Sequence, residues 1–349
     1  MLIRIHENIF LSLEKEAYLR QNDRFSNFRF ISALVDSVGE HKISSADLCT
    51  ILDFRKRLES ATLDIQSPVD GIIVCPASDG TNSVYEACKL LGAYLILTVC
   101  MPLSAVVEAF SGIYDPSITH ADSVDNDTTT LNCWQALYKS MNLGWIVGPK
   151  SEIEPALDVE AFAHYSTRAN GSMHMVVPGR MLFFPSTKAL PHGQKWVDSP
   201  ALTGKDGGAV VRHFSPDYYA EHFGDLGVSA VVCLGLTDAA AAAAFTARGI
   251  EVVDLGLKAQ GASLLHGLDL LLSLAATAPG VVAVHSGDVH SGGDGFAWPA
   301  YTSRLVAAFL VSRLGFGSGA ATAWIRMLCP WMLTPPAGDA DPPQPAPLA

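Results

Sequence analysis

The sequence VVAVHSGDVHSGGDG at residues 281–295 joins an apolar run to a loop rich in glycine. The run 281–285 is typical of a buried strand, because strands covered on both faces read as continuous apolar sequence. A helix is predicted after the loop, over Tyr301–Leu314. The same order occurs earlier, with a strand at Gly71–Cys75, a loop, and a helix over Ser83–Val99. Alternating strands and helices predict a largely parallel sheet flanked by helices, and the repetition suggests two related domains.

The spacing of apolar and turn residues predicts further elements around this repeat. A segment rich in glycine, proline and charge at 148–155 is the best candidate for a break between domains. We expect an N-terminal domain at 1–150, a linker helix at 151–168, a C-terminal domain at 169–334 and a disordered tail at 335–349. The other predicted helices are Asn27–Val38, Ser45–Leu58, Leu131–Met141, Asp158–Thr167, 239–244, Ser263–Ala275 and Ser318–Leu328, and the other strands are Glu7–Leu13, 175–184 around Pro178-Gly179, Ser229–Leu234 and Glu251–Leu257.

Composition restricts the class of protein. The chain has 349 residues, of which 49% are hydrophobic and 17% charged, and its net charge is −12. This content is too apolar for a disordered chain, and the acidic balance gives no chain-wide basic footprint for nucleic acid. Residues 1–14 carry acidic side chains and lack a long apolar run, so no signal peptide is predicted there.

The cysteines and one uncharged segment bear on the compartment. Seven cysteines occur without a Cys-x-x-Cys pair, which argues against disulfides and structural zinc and favours a reducing intracellular compartment: cytoplasm, nucleus or cytoskeleton. The segment Leu90–Val107 has no charge and is long enough to span a membrane. Because Gly92 and Pro102 interrupt it, two buried helices are predicted and no membrane span is expected.

Short motifs occur along nearly the whole chain in the order found in one protein family. In the first half they are Gly92-Ala93-Tyr94 and Leu131-x-Cys133-x-Gln135; later come Asp158-Val159-Glu160-x-Phe162-x-His164-Tyr165, Asn170-Gly171, the sequence VVPGR at 176–180, Ser229–Leu234, Phe245-Thr246-Ala247-x-Gly249, Val253-Asp254-Leu255, 281–285 and Ala323-Trp324-Ile325-Arg326. In this order they resemble the mitotic-exit (cell-division-cycle fourteen) dual-specificity protein phosphatase family.

The resemblance implies two tandem phosphatase-like domains joined by a linker helix. It implies that the first is non-catalytic and shapes the substrate groove, and that the second dephosphorylates phosphoserine and phosphotyrosine, preferring proline after phosphoserine. That reaction needs a cysteine thiolate in a loop at a helix N-terminus, and an arginine that forks around the phosphoryl oxygens. It also needs an aspartic acid that protonates the leaving oxygen, and glutamines that position water.

The chain departs from the family at each of these positions. The residue after the strand is Ser286 where the family has the nucleophilic cysteine, and gap-free counting places Gly292 where the family has arginine. The position of the general acid falls on Ala259 or, with one gap, on Gln260. A serine hydroxyl is not thiolate-like, and the family supplies no base to activate it. The segment from Ser286 to Trp324 is about nine residues longer than in the family, which places an insertion between Gly287 and Ala300. The degenerate phosphate loop comprises His285, Ser286, Gly287, Asp288, Val289, His290, Ser291, Gly292 and Gly293.

Several functions remain open from the sequence. The main prediction is a pseudophosphatase that binds or scaffolds protein partners, phosphoproteins among them. The alternatives are an active dual-specificity phosphatase, with Arg304 as the nearest substitute arginine, and a structural component of a larger assembly. His285, Asp288 and His290 are compatible with a metal loop, but no fourth ligand is evident, so neither metal nor cofactor is predicted. Cys75 follows a strand as a phosphatase nucleophile does, but it is interpreted as a buried structural thiol.

Overall fold

The computed structural model describes residues 2–33, 47–63, 71–113, 115–117, 128–149, 151–191, 193–200, 210–234, 239–255, 264–285 and 298–329. The chain forms two compact units. The first unit comprises Met1–His164 together with Leu310–Leu328, and the second comprises Tyr165–Phe309 together with Cys329–Ala349. The first unit is therefore built from two separate stretches of the chain.

The first unit is a four-stranded sheet with helices. Its strands are β1 (Leu2–His6), β2 (Ile9–Ser12), β3 (Phe28–Ser32) and β4 (Gly71–Cys75), and its helices are α1 (Glu16–Leu19), α2 (Leu48–Leu63), α3 (Thr81–Leu97), α4 (Leu103–Phe110), α5 (Thr130–Asn142) and most of α6 (Val159–Tyr165). The order across the sheet is β1-β2-β4-β3. Strand β4 runs parallel to both of its neighbours, and every one of its residues is buried, as its continuous apolar sequence predicts.

The uncharged segment around Gly92 folds as two helices. Helix α3 ends at Leu97, and α4 starts at Leu103 directly after Pro102, which takes the cap position. The predicted division of the segment is confirmed. Within the described ranges, no helix combines the length and the apolar character needed to cross a membrane.

The second unit is built on a five-stranded sheet. Its helices are α7 (Pro216–Phe223), α8 (Ala239–Thr246), α9 (Leu264–Thr277) and the larger part of α10 (Trp298–Leu314), and its strands are β5 (His174–Val177), β6 (Met181–Phe183), β7 (Trp196–Pro200), β8 (Val210–Phe214), β9 (Val228–Cys233), β10 (Glu251–Asp254) and β11 (Val281–His285). The order of the large sheet is β10-β9-β11-β6-β5, with only the β5–β6 pair antiparallel. The last helix, α11 (Ser318–Leu328), belongs to the first unit. The expected α/β architecture, with sheets rich in parallel pairs and flanked by helices, is confirmed.

Local signals explain several of these boundaries. The predicted hairpin around Pro178-Gly179 is present, with Gly179 at φ +68 and the N–H of Arg180 donating to the Val177 carbonyl over 2.9 Å. Proline followed by a residue with positive φ is the usual requirement of a type II turn. The Asp158 carboxylate accepts from the N–H of Ala161 over 2.9 Å and thereby caps α6, which is shorter than the predicted linker helix.

Some predictions of elements were wrong or incomplete. The helix predicted over Asn27–Val38 is wrong, because Phe28–Ser32 is strand β3, paired in parallel with β4. Phe28 and Phe30 pack against the cluster containing Ile73 and Cys75 while Arg29 is exposed, which is the period-two pattern of a strand. The sequence reading also missed β1 and the antiparallel ribbon formed by β7 and β8. The predicted start of the helix at Ser45 lies outside the described residues, and the Asp47 carboxylate accepts from the Thr50 N–H at the start of α2.

Candidate functional site

Three residues form one row across the carboxyl edge of the five-stranded sheet. Cys233, at the end of β9, pairs with Asp254 at the end of β10 and with His285 at the end of β11. The N–H of Leu234 donates to the His285 carbonyl over 3.2 Å, and the N–H of Leu255 donates to the Cys233 carbonyl over 2.9 Å. Because these strands are parallel, the chain leaves each of them at the same edge of the sheet. The segments that carry Ala259 and Ser286 therefore start from β10 and β11, the two strands that flank β9, at this edge.

The start of β11 is fixed by a close approach of two backbones. The N–H of Gly280 donates to the Ser229 hydroxyl over 3.0 Å, and the N–H of Val281 donates to the Gly227 carbonyl over 2.8 Å. A Cβ atom at Gly280 would collide with that same Gly227 carbonyl oxygen. Glycine at 280 therefore permits the close approach of β11 to β9. This approach helps to fix the register in which His285 ends the strand opposite Cys233.

His285 is buried against an aromatic cluster. Its residue surface is 5% exposed, and its ring centroid lies 4.9 Å from that of Phe184. Phe184 in turn contacts Tyr219 and Phe223, each at 5.0 Å between centroids. Burial lowers the pKa of His285 to about 4, against a smaller opposing effect of the Asp254 carboxylate. The imidazole is therefore neutral at pH 7 and supplies no positive charge to an anion at this edge.

The sequence pattern did not single out the aromatic cluster. Five of its side chains are Phe184, Tyr218, Tyr219, Phe223 and Phe245, and all are buried. The Tyr219 hydroxyl donates to the Gly171 carbonyl over 3.0 Å, and burial raises its pKa strongly, so it stays protonated. The density of aromatic residues over 214–223 was the available signal for this cluster. These residues hold the strand that ends in His285.

The loop after β11 lies outside the described residues. This applies to Ser286, to Gly292 and to the rest of the predicted degenerate phosphate loop, and Ala259 and Gln260 after β10 fall outside as well. Their roles stay predictions from the sequence. What the structure does place is the strand before the loop and the helix after it, β11 and α10.

Arg304 lies in the second turn of α10, and its side chain is exposed. Its neighbours Thr302, Ser303, Leu305 and Val306 are buried, so this position faces away from the packed side of the helix. Arg304 therefore lies on the exposed side of α10. The role of Arg304 as a substitute arginine stays a prediction that needs a functional test.

Strand β4 of the first unit ends at Cys75 and is followed by a loop and by helix α3, which is a similar strand-loop-helix arrangement. This thiol is fully buried, and burial raises its pKa to about 12. A thiol with this pKa is almost wholly protonated at pH 7 and is a poor nucleophile. The loop that follows is held by an ion pair between Lys15 and Asp79, 2.6 Å apart. None of the seven cysteines, all of which lie in the described residues, forms a disulfide bond.

Metal-ligating side chains are not clustered in the described residues. In the part of the chain that the structure describes, no three His, Cys, Asp or Glu side chains are grouped so that they could hold a metal ion. Asp288 and His290, two members of the candidate metal loop, lie outside that part.

Comparison with known proteins bears on the ancestry of the chain. No family model matches it. It is similar to the dual specificity protein phosphatase CDC14AB of Danio rerio, with 26% identity over 258 residues, which is 72% of this chain and 37% of that protein. The chain thus spans little more than a third of the relative's length. This similarity supports a distant relationship to the CDC14-like phosphatases, in agreement with the order of the motifs.

Proposed function

We propose that this chain is a pseudophosphatase of CDC14-like descent that acts by binding protein partners. The observation that carries the proposal is the residue that follows β11. Parallel strands deliver the chain to the carboxyl edge of the sheet, and there His285 is followed by Ser286. A phosphatase of this type needs a thiolate at that position, because a thiolate attacks phosphorus at neutral pH and a hydroxyl without a base does not.

Two further losses support the same conclusion. Gly292 stands where the resemblance places the arginine that neutralises the phosphoryl oxygens, and Ala259 stands where it places the general acid. Stabilisation of charge in the transition state is usually the largest single contribution to catalysis, so its loss is not offset by an intact fold. The buried His285 at this edge does not replace that charge, because its imidazole is neutral at pH 7.

A direct assay tests catalysis. Wild-type protein and the variant Ser286→Ala are incubated with a small aryl phosphate, and both are expected to show only background release of the aryl alcohol. Turnover by the wild type that disappears in Ser286→Ala would contradict the proposal. It would favour an active dual-specificity phosphatase, the function that the name of the zebrafish relative gives for that protein.

Restoration of the missing groups separates their contributions. Ser286→Cys alone is expected to stay inactive, because the arginine and the acid are still absent. If Ser286→Cys reaches substantial turnover, an arginine of the chain must serve the phosphoryl group. Comparison of Ser286→Cys with Ser286→Cys/Arg304→Ala then decides whether Arg304 was that group, because turnover is lost in the double variant only if Arg304 serves the phosphoryl group.

Binding is tested with matched peptides. Calorimetric titration with a phosphopeptide and its unphosphorylated twin is expected to show no preference at micromolar concentration. The bidentate arginine of the family contributes charge-assisted bonds to phosphate of about 1.5–3 kcal/mol each, and this chain has Gly292 at the position that the resemblance gives to that arginine. The negative charges of Asp288 and Asp294 in addition repel phosphate. A clear preference for the phosphopeptide would show that recognition of phosphate survives in this loop. Partner proteins that are captured equally well with and without competing phosphopeptide would indicate binding that does not depend on phosphate, or a structural component of an assembly.

A further inference from the structure

Helix α11 belongs to the first unit although it is far from the rest of that unit in sequence. It lies 153 positions beyond the end of α6, counted from Tyr165 to Ser318, yet it groups with Met1–His164. Seven of its eleven residues are buried: Ala320, Ala321, Ala323, Trp324, Ile325, Met327 and Leu328. A helix with this much buried surface is part of a core and not a surface appendage.

An aromatic contact joins this helix to the first unit. Trp324 is fully buried, and its ring lies 5.4 Å from that of Trp145, in the segment after α5. Trp145 also stacks on Phe316 at 5.7 Å between centroids. Trp145 is only 6% exposed, so the removal of Trp324 and Phe316 would expose a large apolar surface of the first unit.

Two further features bring α11 close to α5. A Cβ atom added at Gly319 would lie 2.6 Å from the side-chain oxygen of Asn132, on the first turn of α5. Near the other end of α11, the guanidinium of Arg326 contacts the Thr128 hydroxyl at 3.5 Å, just before α5. One polar contact, one aromatic contact and the close approach at Gly319 thus place α11 along α5.

We propose that α5 and Trp145 form an acceptor surface for a helix, and that α11 is its intramolecular partner. The first unit is then a discontinuous domain whose local stability depends on residues 310–328. It follows that a chain ending before α11 leaves the surface of α5 and Trp145 uncovered, even though every strand of the first sheet is present.

The test is hydrogen exchange of the full chain, read separately in α5 and in β9. Trp324→Ala removes a fully buried ring, and such a change costs enough to raise local opening about a hundredfold or more. We expect α5 amides to exchange faster by that factor while β9 amides change by only a few-fold. Phe245→Ala, a buried ring of the second unit, is expected to give the reverse pattern.

A milder pair of variants keeps the test decisive if Trp324→Ala does not fold. Phe316→Leu removes the ring that stacks on Trp145, whereas Gly317→Ala, at the next position, meets nothing within 4 Å. Phe316→Leu is expected to speed exchange in α5 and Gly317→Ala to leave it unchanged. Unchanged exchange in α5 for Phe316→Leu, or acceleration of β9 equal to that of α5 for Trp324→Ala, would overturn the proposal.

Discussion

Substitution of Gly92 by alanine is expected to destabilise the first unit, although alanine normally stabilises a helix. Gly92 lies within α3 and faces Trp134 of α5, which is fully buried. A Cβ atom at this position would lie 2.5 Å from Trp134 Nε1 and closer still to two carbon atoms of the ring. Ordinary contact begins at 3.4 Å, so the ring would have to move by about 1 Å in a close-packed interior.

The structure gives the size of the effect. Trp134 Nε1 donates to the Lys89 carbonyl over 3.0 Å, and its ring lies 5.3 Å from that of Phe110, so it is held on two sides. Overpacking costs about 1–3 kcal/mol and a lost buried hydrogen bond about 1–3 kcal/mol, while the higher helix propensity of alanine returns about 1 kcal/mol. The free energy of unfolding should therefore fall by about 1–5 kcal/mol.

Urea unfolding followed by tryptophan fluorescence measures this change. Gly92→Ala should lower the midpoint of the first unit by about 1 M. The control is Gly112→Ala in the same unit, where an added Cβ meets nothing within 4 Å and stability should be unchanged or rise by up to about 1 kcal/mol. In the background Trp134→Leu the cost of Gly92→Ala should shrink, because the two positions are in contact. A Gly92→Ala variant as stable as the wild type would refute the argument.

Three further predictions concern the second unit and the thiols. The free energy of unfolding should fall by about 3 kcal/mol between pH 6.5 and pH 4. The reason is that the unfolded chain protonates His285 in this range, whereas the buried imidazole of the folded protein, with a pKa of about 4, resists protonation. Urea titrations across that range should show no such fall for His285→Gln. N-ethylmaleimide should label the exposed Cys100 well before Cys75, because burial raises the pKa of the Cys75 thiol to about 12. The labelling is read by peptide mass spectrometry, and fast labelling of Cys75 in the native protein would contradict the structural role of that thiol. Gly280→Ala should lower the thermal midpoint, with a cost of about 1–3 kcal/mol, because its Cβ meets the Gly227 carbonyl oxygen, and an unchanged midpoint would argue against that contact.

Much of the fold was predictable because its strongest signals are local. The continuous apolar runs of β4 and β11, the proline that starts α4, and the Pro-Gly turn between β5 and β6 are each readable within a few residues. Strand β3 was misread, because Asn27–Val38 has helical spacing and its strand character comes from pairing with β4, far along the chain.

The candidate site was predictable only in part. The end of β11 at His285 follows from the sequence, but the row formed by Cys233, Asp254 and His285 depends on strand register. The docking of α11 on the first unit is a contact between segments far apart in sequence, and no local pattern encodes it. The sequence predicted one domain at residues 169–334, whereas the structure groups Leu310–Leu328 with the first unit.

Four residues of the motifs that carry the resemblance have structural roles in the described part of the chain. Gly92 makes room for Trp134, and Gly171 accepts from the buried Tyr219 hydroxyl while holding φ at +103. Asp158 caps α6, and Trp324 fills the contact with Trp145. These are residues that maintain packing, turns and caps, and none of these roles requires catalysis.

The positions that differ from the family are instead those to which the resemblance assigns the reaction: Ser286, Gly292 and Ala259. Loss of packing residues is opposed by stability, whereas loss of a nucleophile, an arginine and an acid removes the reaction without removing a core side chain. A chain under selection for its fold and its binding surfaces, and no longer for phosphoryl transfer, would keep the first set and lose the second. This separation between the two sets supports the proposal of a pseudophosphatase more strongly than any one substitution does, because Ser286 and Ala259 follow different strands, β11 and β10, and a single error of alignment would not account for both.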